Sequence, residues 1–359
     1  MLKVCHLTSA HEPEDDRIFL KECMSLAQRN YDVYLVEKGD SYIKNGVHLV
    51  GVGNGSSSRM NRMISGGKKV YRKAEQIDAE IYHLHDPELL PYALKLKKKG
   101  KTVFFDSHED VPAQILDKKW IIKPLRSMVS KLYEKYETFA VNKIDAVITA
   151  TPHIATKFEG RTQKIEVINN YPRLDDVHYH NTPFYEREAI VCYAGAIDEL
   201  RGEGIMKKAM QSVQGKLLIA GDHEVINYSE DNVEYLGRLD RDGINTLYGR
   251  SVVGLCVLQP THNYFYSQPI KMYEYMAAGI PFICSDFPLW AKVAADSGAG
   301  ICVDPSDPDM LSQCINDLLL NREKAEQMGK NGHQYVIKNC TWSNEEKKLF
   351  SLYQYFLKK

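Results

Sequence analysis

At 359 residues, with 44% apolar and 26% charged residues, the chain has material for two packed cores, since single cores seldom grow past roughly 250–300 residues. A formal net charge of −1 excludes a polyelectrolyte partner: residues 1–180 carry 28 Lys+Arg against 24 Asp+Glu and the remainder 18 against 23, which suits an anionic surface or acceptor on the first half but not nucleic acid. Eight cysteines without metal-ligand spacing read as reduced, buried thiols of a cytoplasmic protein, and neither a secretory leader nor a spanning run of roughly 20 apolar residues is expected.

Along the chain, short apolar runs alternate with amphipathic stretches. Strands are predicted at 3–7, 32–37, 47–52, 81–85, 102–107, 146–150 and 164–168. A second series follows at 190–194, 216–220, 232–236, 252–258, 281–285 and 300–303. Repeated strand–helix–strand alternation predicts an α/β fold with two doubly wound parallel sheets. The polar, proline-bearing segment 171–184 has neither period and reads as the linker between domains at 1–170 and 185–342. The terminal segment 343–359 reads as a helix: Ser343 to Glu346 has capping-box spacing, and Leu349, Phe350, Leu352, Tyr353, Phe356 and Leu357 form an apolar face.

In open parallel sheets, ligands bind beyond the carboxyl ends of the strands. The most informative segment there runs from Ser267 through Gln268, Pro269, Ile270, Lys271 and Glu274 to Gly279 and Pro281. Pro269 starts a helix and Gly279 stops it. Lys271 and Glu274, three apart, share a face. A lysine one turn into a helix can hold phosphate, and a carboxylate one turn further can accept two hydrogen bonds from a ribose diol. A surface Lys–Glu pair on a capped helix fits the same letters.

This segment resembles the donor-site signature of the retaining glycosyltransferase family four, of the GT-B fold with two Rossmann-like domains facing a cleft. The resemblance extends along nearly the whole chain. Tyr193-Ala194-Gly195 with Arg201-Gly202 is similar to the family's phosphate loop, and Gly221 and Gly237-Arg238 to the strand ends that hold the base. Phe105 to Glu109 resembles the segment carrying its active-site histidine, here His108. The resemblance implies that Glu274 binds the nucleotide ribose, that Ser267 to Lys271 hold diphosphate and sugar, and that the final helix crosses back to the first domain. Two departures stand out: Tyr266 replaces a common first glutamate, and Ala196 replaces an arginine common after the phosphate-loop glycine.

Elsewhere the residues admit two readings. His11, Asp16 and Arg17, after the first strand, suit either acceptor hydroxyls or a helix-capping cluster, and Asp86 lies at another strand end on the acceptor side. His83 and His85 lie on one strand face, but a metal needs three converging ligands, so no tightly bound metal or cofactor is expected. Two basic stretches interleaved with apolar residues suit docking to an anionic membrane or simply solvated helix faces: Arg59, Arg62, Lys68, Lys69, Arg72 and Lys73, and Lys118, Lys119, Lys123, Arg126, Lys131 and Lys135.

The sequence therefore predicts transfer from a UDP- or GDP-sugar to a saccharide or polyprenyl-linked acceptor, with retention, in bacterial surface-polysaccharide synthesis (O-antigen, capsule or exopolysaccharide). It predicts a cytoplasmic chain that can sit peripherally on the inner membrane face. The rivals are a sugar-nucleotide epimerase or hydrolase of the same fold, and a non-catalytic partner subunit. A dehydrogenase is disfavoured, because no Gly-x-Gly-x-x-Gly follows a strand.

Overall fold

A computed structural model of the chain describes residues 1–53, 65–118, 121–222, 229–230 and 232–358. It divides into two compact units, Met1–Asn170 with Ser343–Lys359, and Tyr171–Trp342. Each is a mostly parallel, doubly wound sheet, and every predicted strand is present.

In the first unit, eight strands lie in the order β3-β4-β2-β1-β5-β6-β7-β8. They are β1 (Lys3–Leu7), β2 (Asp32–Glu37), β3 (Tyr42–Lys44), β4 (Val47–Gly51), β5 (Ile81–Leu84), β6 (Thr102–Ser107), β7 (Ala146–Thr149) and β8 (Ile165–Val167). All neighbours are parallel except β3 against β4. β3 was not foreseen: it is an exposed edge strand with no buried alternation to signal it. The strand order reverses between β1 and β5, so the crevice at their carboxyl ends is the switch point of this sheet.

The terminal helix, Trp342–Leu357, begins one residue before the expected cap at Ser343. Instead, buried Glu345 accepts the Asn169 amide at 2.8 Å. Leu349, Leu352 and Tyr353 are buried, whereas Leu357 lies outside the apolar face. The Tyr353 hydroxyl sits between His83 Nδ1 at 3.0 Å and His6 Nε2 at 3.1 Å. Tyr353→Phe strands both nitrogens away from water, and an unmade buried hydrogen bond costs about 1–3 kcal/mol. The expected outcome is a lowered urea midpoint; an unchanged one contradicts this reading of the bridge.

In the second unit, seven strands lie in the order β11-β12-β10-β9-β13-β14-β15. They are β9 (Ile190–Ala194), β10 (Lys216–Ala220), β11 (Ser229–Glu230), β12 (Val233–Gly237), β13 (Val253–Cys256), β14 (Phe282–Ser285) and β15 (Gly300–Val303). Only β11 runs antiparallel to its neighbour. The order reverses between β9 and β13. The helix Ile270–Ala278 is the crossover from β13 to β14, so its N-terminus comes to the strand ends at this switch point. Its Tyr275 donates to Leu255 O at 3.1 Å and accepts the Ala194 amide at 3.2 Å, tying the helix to β13 and β9 together. Gly254 permits this: a Cβ there would lie 2.5 Å from the Tyr275 ring. Segment 171–184 packs on this unit rather than hanging free. Val177 is buried, the His178 amide donates to Asn245 at 3.1 Å, and the Tyr179 ring stacks on His333.

Candidate functional site

The loops leaving β9, β10 and β12 are stitched side by side. Gly195 N–H donates to Ala220 O at 2.8 Å, and Gly221 N–H to Gly237 O at 2.8 Å. This close approach needs bare backbone, since a Cβ on Gly221 would stand 1.9 Å from Gly195 O. Gly195 itself has φ +122°, and a Cβ there would lie 3.3 Å from Lys271 Nζ. The lysine of the helix start is thus brought against the bend after β9.

Lys271 is half-buried, with its ammonium 3.5 Å from the centroid of the Tyr193 ring. Among the described residues no carboxylate pairs with it. Burial first, and then the like charge of Arg201, push its pKa down to about 8. An electron-rich ring is a weak substitute for a counter-ion.

Glu274 is mostly buried and held at both oxygens, by Arg241 Nη1 at 2.9 Å and by the Tyr248 hydroxyl at 2.8 Å. Each carboxylate oxygen has a second lone pair, so a clamped Glu274 can still accept from a ligand. Neither Arg241 nor Tyr248 was read from the sequence. Arg201 lies in the loop capped by Asp198, whose carboxylate pairs with its guanidinium. Gly202 follows with φ +88°, where a Cβ would strike Val257 O. Ser267 donates its hydroxyl to Tyr264 O at 2.9 Å and accepts Trp290 Nε1 on its carbonyl at 2.8 Å, which fixes the turn into Gln268 and Pro269. Arg238 is exposed at the end of β12.

The acceptor-side residues of the first unit lie at its own switch point. Asp86, following β5, is buried and accepts from the Thr8 hydroxyl at 2.9 Å and the Ser9 and Ala10 amides at 2.5 and 3.1 Å. These bonds, with His11 Nδ1 at 3.0 Å, hold its carboxyl well below the usual range despite burial. Burial opposes a charged His11, but the Asp86 bond outweighs it and raises the histidine's pKa. Asp86 therefore shapes the loop after β1 rather than facing a ligand, while His11 keeps an exposed edge. Asp16 pairs with Lys21 at 2.6 Å.

Arg17 corrects the sequence reading. It is buried, donating Nε and Nη2 to Asp106 at 2.9 and 3.1 Å and Nη1 to Ile168 O at 2.8 Å, so it is turned inward and away from an acceptor. The reason is local. The segment Asp16–Cys23 winds as a π-helix, with the Leu20 amide reaching back to Asp15 O at 3.2 Å. An α-helix would set residues 17 and 22 about 140° apart; the wider winding turns Arg17 and Glu22 inward together, with Glu22 Oε1 3.2 Å from Arg17 Nε. His108 leaves β6 with Nε2 3.1 Å from Asp106 Oδ2, and is partly exposed. Behind it lie His85, His6 and His83, all buried.

The first basic stretch falls partly outside the described residues at Arg59 and Arg62. Its described part lies on the helix Gly67–Ile77, whose apolar residues Val70, Tyr71 and Ala74 are buried and whose lysines are exposed. On the second stretch, Lys119 is likewise outside the described residues. There the helix Lys123–Val141 leaves Leu125, Met128 and Leu132 exposed beside Lys123, Lys131 and Lys135. No helix among the described residues is long and apolar enough to cross a membrane.

Comparison with known proteins gives two family matches in tandem. "Glycosyltransferase Family 4" matches residues 19–171, and "Glycosyl transferases group 1" matches residues 178–335. Spore coat protein SA of Bacillus subtilis is 27% identical, with 46% of this chain and 48% of that protein aligned. An uncharacterized glycosyltransferase of Methanocaldococcus jannaschii is 24% identical, with 46% and 45% aligned. The chain thus spans about half the length of these curated relatives. Among solved structures, sucrose-phosphate synthase from Thermosynechococcus elongatus superposes with a TM-score of 0.79 at 15% identity, covering 99% of each chain. Anabaena HepE, solved in complex with UDP and glucose, superposes at 0.74 with 12% identity, covering 99% of this chain and 100% of that one. One family model takes up most of each compact unit, a Glycosyltransferase Family 4 match followed by a Glycosyl transferases group 1 match, on the GT-B fold shared with these solved structures.

Proposed function

We propose that the chain transfers a sugar from a nucleoside diphosphate sugar to a saccharide or polyprenyl-linked saccharide acceptor with retention of configuration, in the synthesis of a bacterial surface polysaccharide. The observation that carries the donor half is Lys271: a half-buried cation beside the bare backbone of Gly195, at a helix start, with a ring in place of a counter-ion. A diphosphate supplies the missing negative charge. Glu274, held by Arg241 and Tyr248, takes the pentose hydroxyls one turn along. Arg201, Gly202, Gly221, Gly237, Arg238, Ser267 and Gln268 complete the proposed donor site. Neutralising the diphosphate through a helix start and two cations makes a divalent metal unnecessary at the phosphates. That Anabaena HepE was solved with UDP and with UDP-glucose favours a uridine donor over GDP.

On the acceptor side, His108, with the His11 ring beside it, and Asp16 at the start of the helix after β1 are the first unit's polar groups for sugar hydroxyls. Retention places the attacking hydroxyl on the same face as the leaving diphosphate, which takes its proton. A sugar-nucleotide hydrolase is the alternative, distinguished by donor consumption that needs no acceptor.

A thermal-shift panel of uridine, guanosine and adenosine diphosphate sugars tests the donor. Linkage gives about 2.7 kcal/mol of stabilisation at a hundred times the dissociation constant, so one nucleotide series should raise Tm while the others do not. Equal silence from all three contradicts the assignment.

The exposed Leu125, Met128 and Leu132 beside Lys123, Lys131 and Lys135 fit a peripheral seat on an anionic membrane at its cytoplasmic face. Co-sedimentation with vesicles rich in phosphatidylglycerol at low salt should retain the wild-type chain and lose Leu125→Gln/Leu132→Gln. Absence of wild-type binding at low salt ends this part of the reading.

A further inference from the structure

His108, assigned above to the acceptor side, also belongs to a convergence of side chains in the first unit that the donor site of the second unit does not use. His85 Nδ1, Asp106 Oδ2 and His108 Nε2 form a nearly equilateral triangle with sides of 3.4, 3.5 and 3.1 Å. Ligand atoms about 2.0–2.1 Å from a tetrahedral zinc ion stand roughly 3.3 Å apart. We infer that these three residues bind one divalent ion of the zinc class, with a fourth position open on the exposed side of His108.

Hydrogen bonding alone explains the triangle poorly. His108 to Asp106 is a good bond, but His85 Nδ1 stands 3.4 and 3.5 Å from the other two atoms, beyond the usual 2.7–3.2 Å range. It is buried and has no closer partner among the described residues. Its other nitrogen, Nε2, makes a proper contact at 3.0 Å to His6 Nδ1, and His6 is held in turn by Tyr353. The ring is thereby fixed with Nδ1 aimed at the centre of the triangle. Asp106 is fixed as firmly by the two-pronged bond from Arg17. Such outer partners, orienting ligands from behind, are what a metal site requires.

The second observation is Glu22. Its side chain is fully buried, and neither oxygen accepts a hydrogen bond among the described residues. Its Oε2 lies 3.8 Å from the nitrogens of His6, His83 and His85 that face it. The positive charge of Arg17 opposes a cation in this cluster, and the Glu22 carboxyl group lies against that charge, with Oε1 3.2 Å from Arg17 Nε. Two imidazoles and one carboxylate suit zinc, cobalt or iron rather than magnesium or calcium. The expectation from the sequence, no tightly bound metal, rested on His83 and His85 as the ligand pair. His83 is not in the triangle, and the other two ligands come from β6 and its exit.

The test uses untagged full-length chain stripped of metal by dialysis. Cobalt(II) titration should give one saturable visible absorption band per chain, displaced by one equivalent of zinc. His108→Ala, which removes its bond to Asp106 but leaves the Arg17–Asp106 pair and the His85–His6–Tyr353 chain in place, should weaken cobalt binding by about a hundredfold or more, with unchanged circular dichroism. Asp106→Asn should do the same if it folds. Absence of a one-to-one band in the wild type overturns the inference. So does equal affinity in His108→Ala. Loss of binding in His83→Gln with retention in His108→Ala also overturns it, by moving the ion to the Glu22 face.

Discussion

Lys271→Met should lower kcat/KM for sugar transfer by roughly 10²–10³-fold, about 2–4 kcal/mol of transition-state stabilisation, and should weaken nucleoside diphosphate binding as well. The methionine keeps the stem over Tyr193 and removes only the charge. Stability should hold or rise, because burial penalises the ammonium in the free protein. Loss of activity with a lowered Tm points to a structural lysine instead. Near wild-type transfer removes Lys271 from the donor site. Glu274 is expected to behave differently. Its partners Arg241 and Tyr248 are bound to it already, so Glu274→Ala also loosens the helix Arg241–Arg250.

Arg17→Met should be the most destabilising single substitution in the first unit. Arg17 is the one cation facing buried Asp106 and Glu22 among the described residues, and removing one partner of a buried ion pair costs about 3–5 kcal/mol. For a unit of this size each kcal/mol moves Tm by roughly 2–4 °C. The fall in Tm should therefore be plain in calorimetry, and an unaltered transition contradicts the network. The remaining carboxylates must then share a proton, so the loss should be smaller at low pH. Glu22 is already pushed well above the ordinary carboxylate range by burial and by Asp106, and a further rise favours its neutral form.

What the sequence made legible was what lies close together in it. The thirteen strand runs, the two sheets and the Ser267–Pro281 punctuation depend on period, proline and glycine, which are local signals. Lys271 and Glu274 could be placed on one helix face for the same reason. Tyr193, Arg241 and Tyr248 could not, because they meet that helix from a neighbouring strand and another helix, and register between elements is not written in any one of them. The acidic turn before Arg17 read equally as an acceptor contact or a helix cap, and Asp15 does cap the helix through the Arg17 and Ile18 amides. The π-helical winding that follows was invisible, and with it the inward turn of Arg17. The cluster around His85 draws His6, Glu22, Asp106, His108 and Tyr353 from separate elements, the last nearly 350 residues from the first. The His-x-His spacing at the end of β5 and His108 after β6 were its traces in the sequence.

Isothermal titration of the cognate nucleoside diphosphate between pH 7 and 9.5 tests the donor-site account most directly. Lys271 titrates near 8 in the free protein, and a diphosphate alongside must raise that value. Affinity should be constant below pH 8 and fall above it, approaching about tenfold per pH unit. Proton uptake on binding should appear in buffers of differing ionisation enthalpy, and both effects should vanish in Lys271→Met. Wild-type affinity that stays flat through pH 9.5, with no proton taken up, contradicts a diphosphate seated on Lys271.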